Sequence, residues 1–172
     1  MKKKPIIFTD LDGTLLDDSY SFDDARPALS LIYSMDIPLV LCSSKTKPEI
    51  EHYRHKMNNH HPFISENGGG IFIPDGYFGK ALKNTYHKLK EVDGYIMISI
   101  GTEYPSLRNA LKTLRQQGFN VKGFGDMSSD EISQATGLGI EEAGMAKQRA
   151  FDEPFFFYGD MQEKEALFAE IK

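Results

Sequence analysis

The chain has 172 residues, 40% of them apolar and 26% charged, with a formal net charge of −5. That is enough apolar material for one ordinary domain or two small ones, and the acidic balance argues against nucleic acid or anionic lipid as a partner. A single cysteine excludes an internal disulfide framework and fits a reducing compartment. No apolar run reaches the length of a membrane span, and Ile6–Phe8 after Met1-Lys2-Lys3-Lys4 is too short for a signal-peptide core, so a cytoplasmic protein without a membrane partner is expected.

Pro5–Thr9 is a short apolar run closed by Asp10, the pattern of a strand buried in a parallel sheet. Ser21-Phe22-Asp23-Asp24 has the composition of a helix start, and Ala25, Ala28, Leu29, Ile32 and Met35 recur at helical spacing behind it. Ile37–Cys42 reads as a second buried strand. Thr46-Lys47-Pro48-Glu49 is a capping box that opens a helix running to about Met57. Phe63–Ser65 and Gly70–Ile73 read as strands joined by the turn Glu66-Asn67-Gly68-Gly69. The order β-α-β-α-β opens a doubly wound sheet.

Proline, two glycines and the polar stretch Lys80–Lys90 then mark a boundary, placing a first domain at 1–77 and a second at 78–172. The second region predicts a strand at Tyr95–Ile100, a helix at Pro105–Gln117 and a strand at Asn120–Phe124. A helix opened by Ser128-Ser129-Asp130-Glu131, another over Ile140–Arg149, a strand at Pro154–Tyr158 and a helix at Met161–Ile171 complete an α+β pattern.

The chemistry concentrates in Phe8-Thr9-Asp10-Leu11-Asp12-Gly13-Thr14. Open α/β sheets bind ligands at the carboxyl ends of their strands, and Asp10 and Asp12 stand there two residues apart. Two like charges in a partly buried site call for a compensating cation; Mg²⁺ takes oxygen ligands, keeps waters and bridges to phosphate. A carboxylate so placed can attack phosphorus. Gly13 permits a tight turn, and the Thr14 hydroxyl can orient a phosphate oxygen. The second strand ends in Cys42-Ser43-Ser44-Lys45-Thr46, where a hydroxyl and a helix N-terminus can meet the same phosphate. Taken alone, an acidic turn and a capped β-α loop would account for these residues; their conjunction favours a site.

FTDLDGTLLD followed by VLCSSKT resembles the first two motifs of the haloacid dehalogenase superfamily. PFISENGGGIFIP, GFGDMSSDEISQATGL and EEAGMAKQRAFDEPF resemble mannosyl-3-phosphoglycerate phosphatases within it. The resemblance implies a Rossmann-like parallel sheet with an inserted α+β cap, and hydrolysis of a small phosphorylated sugar acid through an aspartyl-phosphate. Asp10 would be nucleophile and metal ligand. Asp12 would be the general acid and base and offer Mg²⁺ its backbone carbonyl. Ser43 would be the second motif's hydroxyl, and Lys45 and Asn67 would face substrate. Lys147 and Arg149, beside Asp152 and Glu153, would place cations near a glycerate carboxylate, although a charged helix end explains them equally well.

The resemblance also implies a phosphate-balancing lysine and a third metal carboxylate after the cap. Tyr158-Gly159-Asp160 does not continue as that acidic motif and reads as a turn with Asp160 as an N-cap. The expectation is therefore the N-terminal half of a core plus its cap, either a fragment or truncated product or one completed by another chain, and poorly active or inactive alone. The alternatives are a general hexose-phosphate phosphatase or phosphomannomutase-like enzyme, and a non-catalytic remnant or interaction module. His52, His55, His60 and His61 lack zinc-like spacing to cysteine or carboxylate and read as surface residues. Cys42 reads as a small core hydrophobe.

Overall fold

The computed structural model describes residues 5–79 and 89–171. Met1–Lys4 and most of the expected linker, residues 80–88, lie outside the described residues. Packing divides the chain into two units, Met1–Gly101 and Thr102–Lys172.

The first unit is a mixed six-stranded sheet with helices. Its elements are β1 (Ile7–Thr9), α1 (Arg26–Ser34), β2 (Leu39–Cys42), α2 (Lys47–Lys56), β3 (Phe63–Ser65), β4 (Gly70–Pro74), β5 (Leu89–Val92) and β6 (Tyr95–Ser99). The strand order is β1-β2-β3-β4-β6-β5, parallel through β1, β2 and β3 and antiparallel beyond. Both parallel connections step the same way across the sheet, so right-handed crossovers place α1 and α2 on one face. The Tyr33 hydroxyl at the end of α1 accordingly donates to the Met57 carbonyl at the end of α2, at 3.0 Å.

Strand alternation sorts the side chains. Leu39, Leu41, Phe63, Phe72 and Met97 share one face through their register and are all buried, with Phe63 and Phe72 stacked at 4.9 Å between ring centres. Phe8, Val40, Cys42, Ile64, Ile71 and Ile98 share the other.

The capping box of α2 forms as expected: the Glu49 backbone N–H donates to Thr46 Oγ1, and the Thr46 N–H donates to the Glu49 carboxylate at 2.8 Å. The start of α1 differs. Its N-cap is Ala25, without a side-chain cap, and Pro27 sits in the first turn where its fixed φ suits a helix. Ser21 and Asp23 close a turn instead, and Asp23 pairs with Arg26. Strand β5 falls in what reads as polar linker: Leu89-Lys90-Glu91-Val92 has too little apolar signal to announce a strand, and its pairing with β6 supplies one. The break in packing thus comes after Gly101, whereas the break in composition lies near residue 77.

The second unit contains α3 (Tyr104–Gln116), β7 (Val121–Gly123), α4 (Ser129–Thr136), α5 (Ile140–Ala146), β8 (Phe155–Phe157) and α6 (Met161–Glu170), with β7 and β8 antiparallel. Leu111, Leu114, Val121 and Leu167 form one apolar cluster, and Phe124, Met127, Ile132, Ala143 and Ala146 another. Ser128 caps α4 and Asp160 caps α6, each with a reciprocal glutamate. Among the described residues no helix is long and apolar enough to cross a membrane.

Candidate active site at the ends of three parallel strands

The carboxyl ends of β1, β2 and β3 meet at a cleft of about 440 Å³ lined by Phe8, Thr9, Asp10, Cys42, Ser43, Ser44, Ile64, Asn67 and Gly68. Parallel pairing brings them together: Thr9 registers with Leu41 and Cys42 with Ile64, so the residues just beyond each strand converge. Asp10 is exposed, and its Oδ1 accepts the Leu11 N–H at 2.7 Å. The loop after it is pinned by buried Leu11 and Leu16. The Leu16 N–H donates to the Leu11 carbonyl at 2.8 Å, and the Gly13 N–H to the Leu16 carbonyl at 3.0 Å. Gly13 has φ +66°, a left-handed conformation costly for any residue with a Cβ.

Asp12 meets Lys45: Oδ1 and Nζ are 2.9 Å apart, with the lysine side chain 8% exposed and the aspartate 42%. Lys45 Nζ also lies 4.9 Å from the centre of the Tyr20 ring and 5.8 Å from that of Tyr53. Lys45 is therefore turned toward the acidic loop, and two aromatic rings flank its ammonium group. Sequence reading does not find these rings, because Tyr20 comes from a turn and Tyr53 from one face of α2.

Ser43 is buried, and its hydroxyl accepts the Lys45 N–H at 3.2 Å. The Asn67 N–H donates to the Ser43 carbonyl and the Glu66 N–H to the Lys45 carbonyl, both at 3.1 Å, which ties the turn after β3 to the end of β2. Glu66 and Asn67 are both left-handed, at φ 49° and 55°, a strained pair held by these bonds. The Ser65 hydroxyl beneath them is buried, with no hydrogen-bond partner among the described residues. Burial, then the nearby charge of Asp10, pushes the Cys42 thiol above its ordinary pKa.

Of the sequence-derived candidates, Asp10, Ser43, Ser44 and Asn67 line one cleft, and Asp12 and Lys45 adjoin it through their ion pair. Gly13 and Thr14 line a different cleft, with Asp17, Ser21 and Asp24. In the second unit, Lys147 Nζ donates to the Met127 carbonyl. Arg149 donates from Nε to the Ala146 carbonyl and from a terminal nitrogen to Asp152 Oδ1, both at 2.8 Å, and its guanidinium stacks over Phe124.

No group of three or more His, Cys, Asp or Glu capable of holding a metal occurs among the described residues. The exposed Asp10 carboxylate on the cleft nevertheless offers oxygen donors. Such a donor fits a hard cation such as Mg²⁺, which keeps several waters and is commonly bound through one or two carboxylates.

Residues 7–99 match the model of the haloacid dehalogenase-like hydrolase family. The chain belongs to that family. Within it, the chain is 49% identical over 154 residues to a glucosyl-3-phosphoglycerate/mannosyl-3-phosphoglycerate phosphatase from Methanococcoides burtonii, covering 88% of this chain and 55% of the relative. A protein of the same description from Persephonella marina is 40% identical, over 93% of this chain and 58% of its own length. A mannosyl-3-phosphoglycerate phosphatase from Pyrococcus horikoshii is 37% identical, over 88% and 59%. The chain thus spans somewhat more than half the length of these relatives. Its fold matches a haloacid dehalogenase-like hydrolase from Bacteroides thetaiotaomicron with a TM-score of 0.56 at 17% identity, covering 98% of this chain and 63% of that one.

Proposed function

We infer that this haloacid dehalogenase-like chain carries the phosphoryl-transfer part of a magnesium-dependent phosphatase for a glycosyl-3-phosphoglycerate. The observation behind this reading is a single cleft, at the ends of adjacent parallel strands, shared by Asp10, Ser43, Ser44 and Asn67. The relatives described as glucosyl- or mannosyl-3-phosphoglycerate phosphatases supply the substrate class. With a mannosyl substrate the products are mannosylglycerate and inorganic phosphate.

In the proposed reaction a carboxylate oxygen of Asp10 attacks phosphorus and forms an aspartyl-phosphate. The bond from phosphorus to the glycerate oxygen breaks, and Asp12 gives that oxygen its proton. Asp12 then takes a proton from the water that attacks the aspartyl-phosphate, releasing phosphate and restoring Asp10. Lys45 holds the Asp12 carboxylate in place, and Ser43 and Asn67 donate to phosphate oxygens. Mg²⁺, held by the Asp10 carboxylate and the Asp12 carbonyl, would offset the negative charge gathered there when bound.

The same reading assigns residues 1–77 to the catalytic core and 78–172 to a cap that selects the sugar acid, with the β5–β6 hairpin as its attachment to the core sheet. A cytoplasmic location belongs to the same proposal. The test is Mg²⁺-dependent phosphate release from mannosyl-3-phosphoglycerate, glucosyl-3-phosphoglycerate and simple hexose phosphates, with the rest of the relatives' length supplied as a partner polypeptide. At least a tenfold preference in kcat/KM for the glycosyl-phosphoglycerates is expected. Equal use of hexose phosphates would favour a general sugar phosphatase.

A further inference from the structure

A second cavity in the first unit, of about 520 Å³, lies at the other end of the sheet from Asp10. His60 stands just before β3, and Tyr95 opens β6, which runs in the same direction as β3 after two antiparallel steps. Both line the cavity, which therefore sits at the amino ends of these strands, whereas the Asp10 cleft sits at carboxyl ends. Glu51, Arg54, His55 and Asn58 reach it from α2 and its end at a spacing of i, i+3, i+4 and i+7, which is one helix face. Asp93, in the turn between β5 and β6, lines it as well. The two cavities share no lining residue.

Arg54 sets the chemistry of this cavity. The residue is 6% exposed, and its guanidinium lies over the Phe63 ring at 4.8 Å. One terminal nitrogen donates to the Tyr95 hydroxyl at 2.7 Å and the other to the His61 carbonyl at 2.6 Å, both neutral acceptors. Nε is buried without a hydrogen-bond partner among the described residues. Two of the five N–H donors are thus engaged, and no carboxylate among the described residues pairs with the guanidinium. A cation held out of water ordinarily has an anion beside it, because its lost hydration is otherwise uncompensated. The carboxylates of the cavity, Glu51 and Asp93, go to Lys47 instead, at 3.0 and 3.3 Å.

We propose that this cavity binds a small hydroxylated monocarboxylate, with its carboxylate on Arg54 and its hydroxyls on Glu51, Asp93 and Asn58. A planar carboxylate matches the guanidinium fork. Lys47 and Arg54 together balance Glu51 and Asp93, so these surroundings suit one negative charge better than the two of a phosphate monoester. Glycerate is the smallest ligand of this kind. A glycosylglycerate, the product class of the proposed reaction, carries the same carboxylate with more hydroxyls. The site rests on the geometry of the first unit, and only the choice of the glycosylated ligand rests on the proposed phosphatase function.

The test is titration of the full chain with D-glycerate, mannosylglycerate, mannose and inorganic phosphate, without Mg²⁺, following the histidine ring resonances by NMR. His55 and His60 line the cavity, and His52, on the same helix, does not. Saturable shifts at His55 and His60, and none at His52, are expected with both carboxylates. Mannose and phosphate should bind at least tenfold more weakly than mannosylglycerate. Arg54→Met and Asn58→Asp should each weaken binding of the carboxylates at least tenfold. Asn58→Asp puts a negative charge into the cavity at a left-handed position, φ 52°, which aspartate tolerates, so it gives a reading even where Arg54→Met does not fold. The proposal is overturned by the absence of saturable shifts at His55 and His60, by equal binding of mannose or phosphate, or by unchanged affinity in Asn58→Asp. Shifts that Asp10→Asn removes would place the ligand in the Asp10 cleft and overturn it too. Glycerate binding by a chain without phosphatase activity would sustain the site and count against the function alone.

Discussion

The two units place their charged side chains differently. At the ends of β1, β2 and β3, Asp10 is exposed on a cleft, and Lys45 and Asp12 meet at its margin. In the Thr102–Lys172 unit the charges turn on one another. Arg108 binds both Asp126 and Glu153, Arg115 binds Asp126 at 2.6 Å, and the Gly125 N–H donates to Glu153, whose side chain is 3% exposed. The side-chain hydrogen bonds from Arg108 hold the Asp126 carboxyl far below the ordinary carboxylate range, and burial with the Glu153 hydrogen bond raises the Tyr104 hydroxyl. Gly123 and Gly125 belong to this arrangement, because a Cβ at either position would fall within 3 Å of these side chains. The contrast separates charge left available to a ligand from charge engaged in holding a fold.

Substitutions that should affect only one side of this comparison test it. The largest effect is expected from Asp10→Asn. Turnover in the phosphate-release assay should fall at least about a thousandfold, as for loss of a nucleophile, while the melting temperature should change little because Asp10 is exposed. A large loss of stability would place Asp10 among the structural charges.

Arg108→Met should do the reverse. It leaves Glu153 buried without its ion-pair partner and is expected to cost about 3 kcal/mol in denaturant unfolding. The same network predicts a pH response. Asp126 has a depressed folded pKa, so its contribution is present above about pH 4 and is lost as pH falls through the folded value. Melting temperatures between pH 5 and pH 2 should therefore fall more steeply in the wild type than in Asp126→Asn. Equal slopes would remove Asp126 from the account.

Smaller effects follow at α2. Thr46→Ala removes a buried capping box and should cost about 1 kcal/mol, with the loss confined to the first unit. Lys47→Met breaks pairs with Glu51 and the exposed Asp93 and should change stability by no more than about 0.5 kcal/mol. A larger loss would mean that Lys47 holds more than a surface pair.

Much of the site was legible because its signals are local. The apolar run ending at Asp10, the Thr46–Glu49 box and the turn at Glu66–Gly69 are each specified within a few residues, and all three formed, although β1 is partly exposed rather than buried, with Phe8 62% exposed. The strand β5 was not legible, because Leu89-Lys90-Glu91-Val92 becomes a strand only through its neighbour β6. Lys45 was read as a candidate site residue, but its direction was not legible, since Asp12, Tyr20 and Tyr53 reach it from three separate segments. Lys147 and Arg149 were read as candidates for a glycerate carboxylate; the Lys147 bond to Met127 spans twenty residues and leaves no trace in spacing, whereas Arg149 bonds locally to Ala146 and Asp152, each three residues away.

The most direct measurement is acid-quench mass spectrometry during turnover of mannosyl-3-phosphoglycerate with Mg²⁺ in the same assay. The account predicts a phosphoryl group on the peptide containing Asp10, absent from Asp10→Asn and lost again as substrate is consumed. Turnover with no such adduct at any quench time, or with the phosphoryl group on another residue, would contradict it.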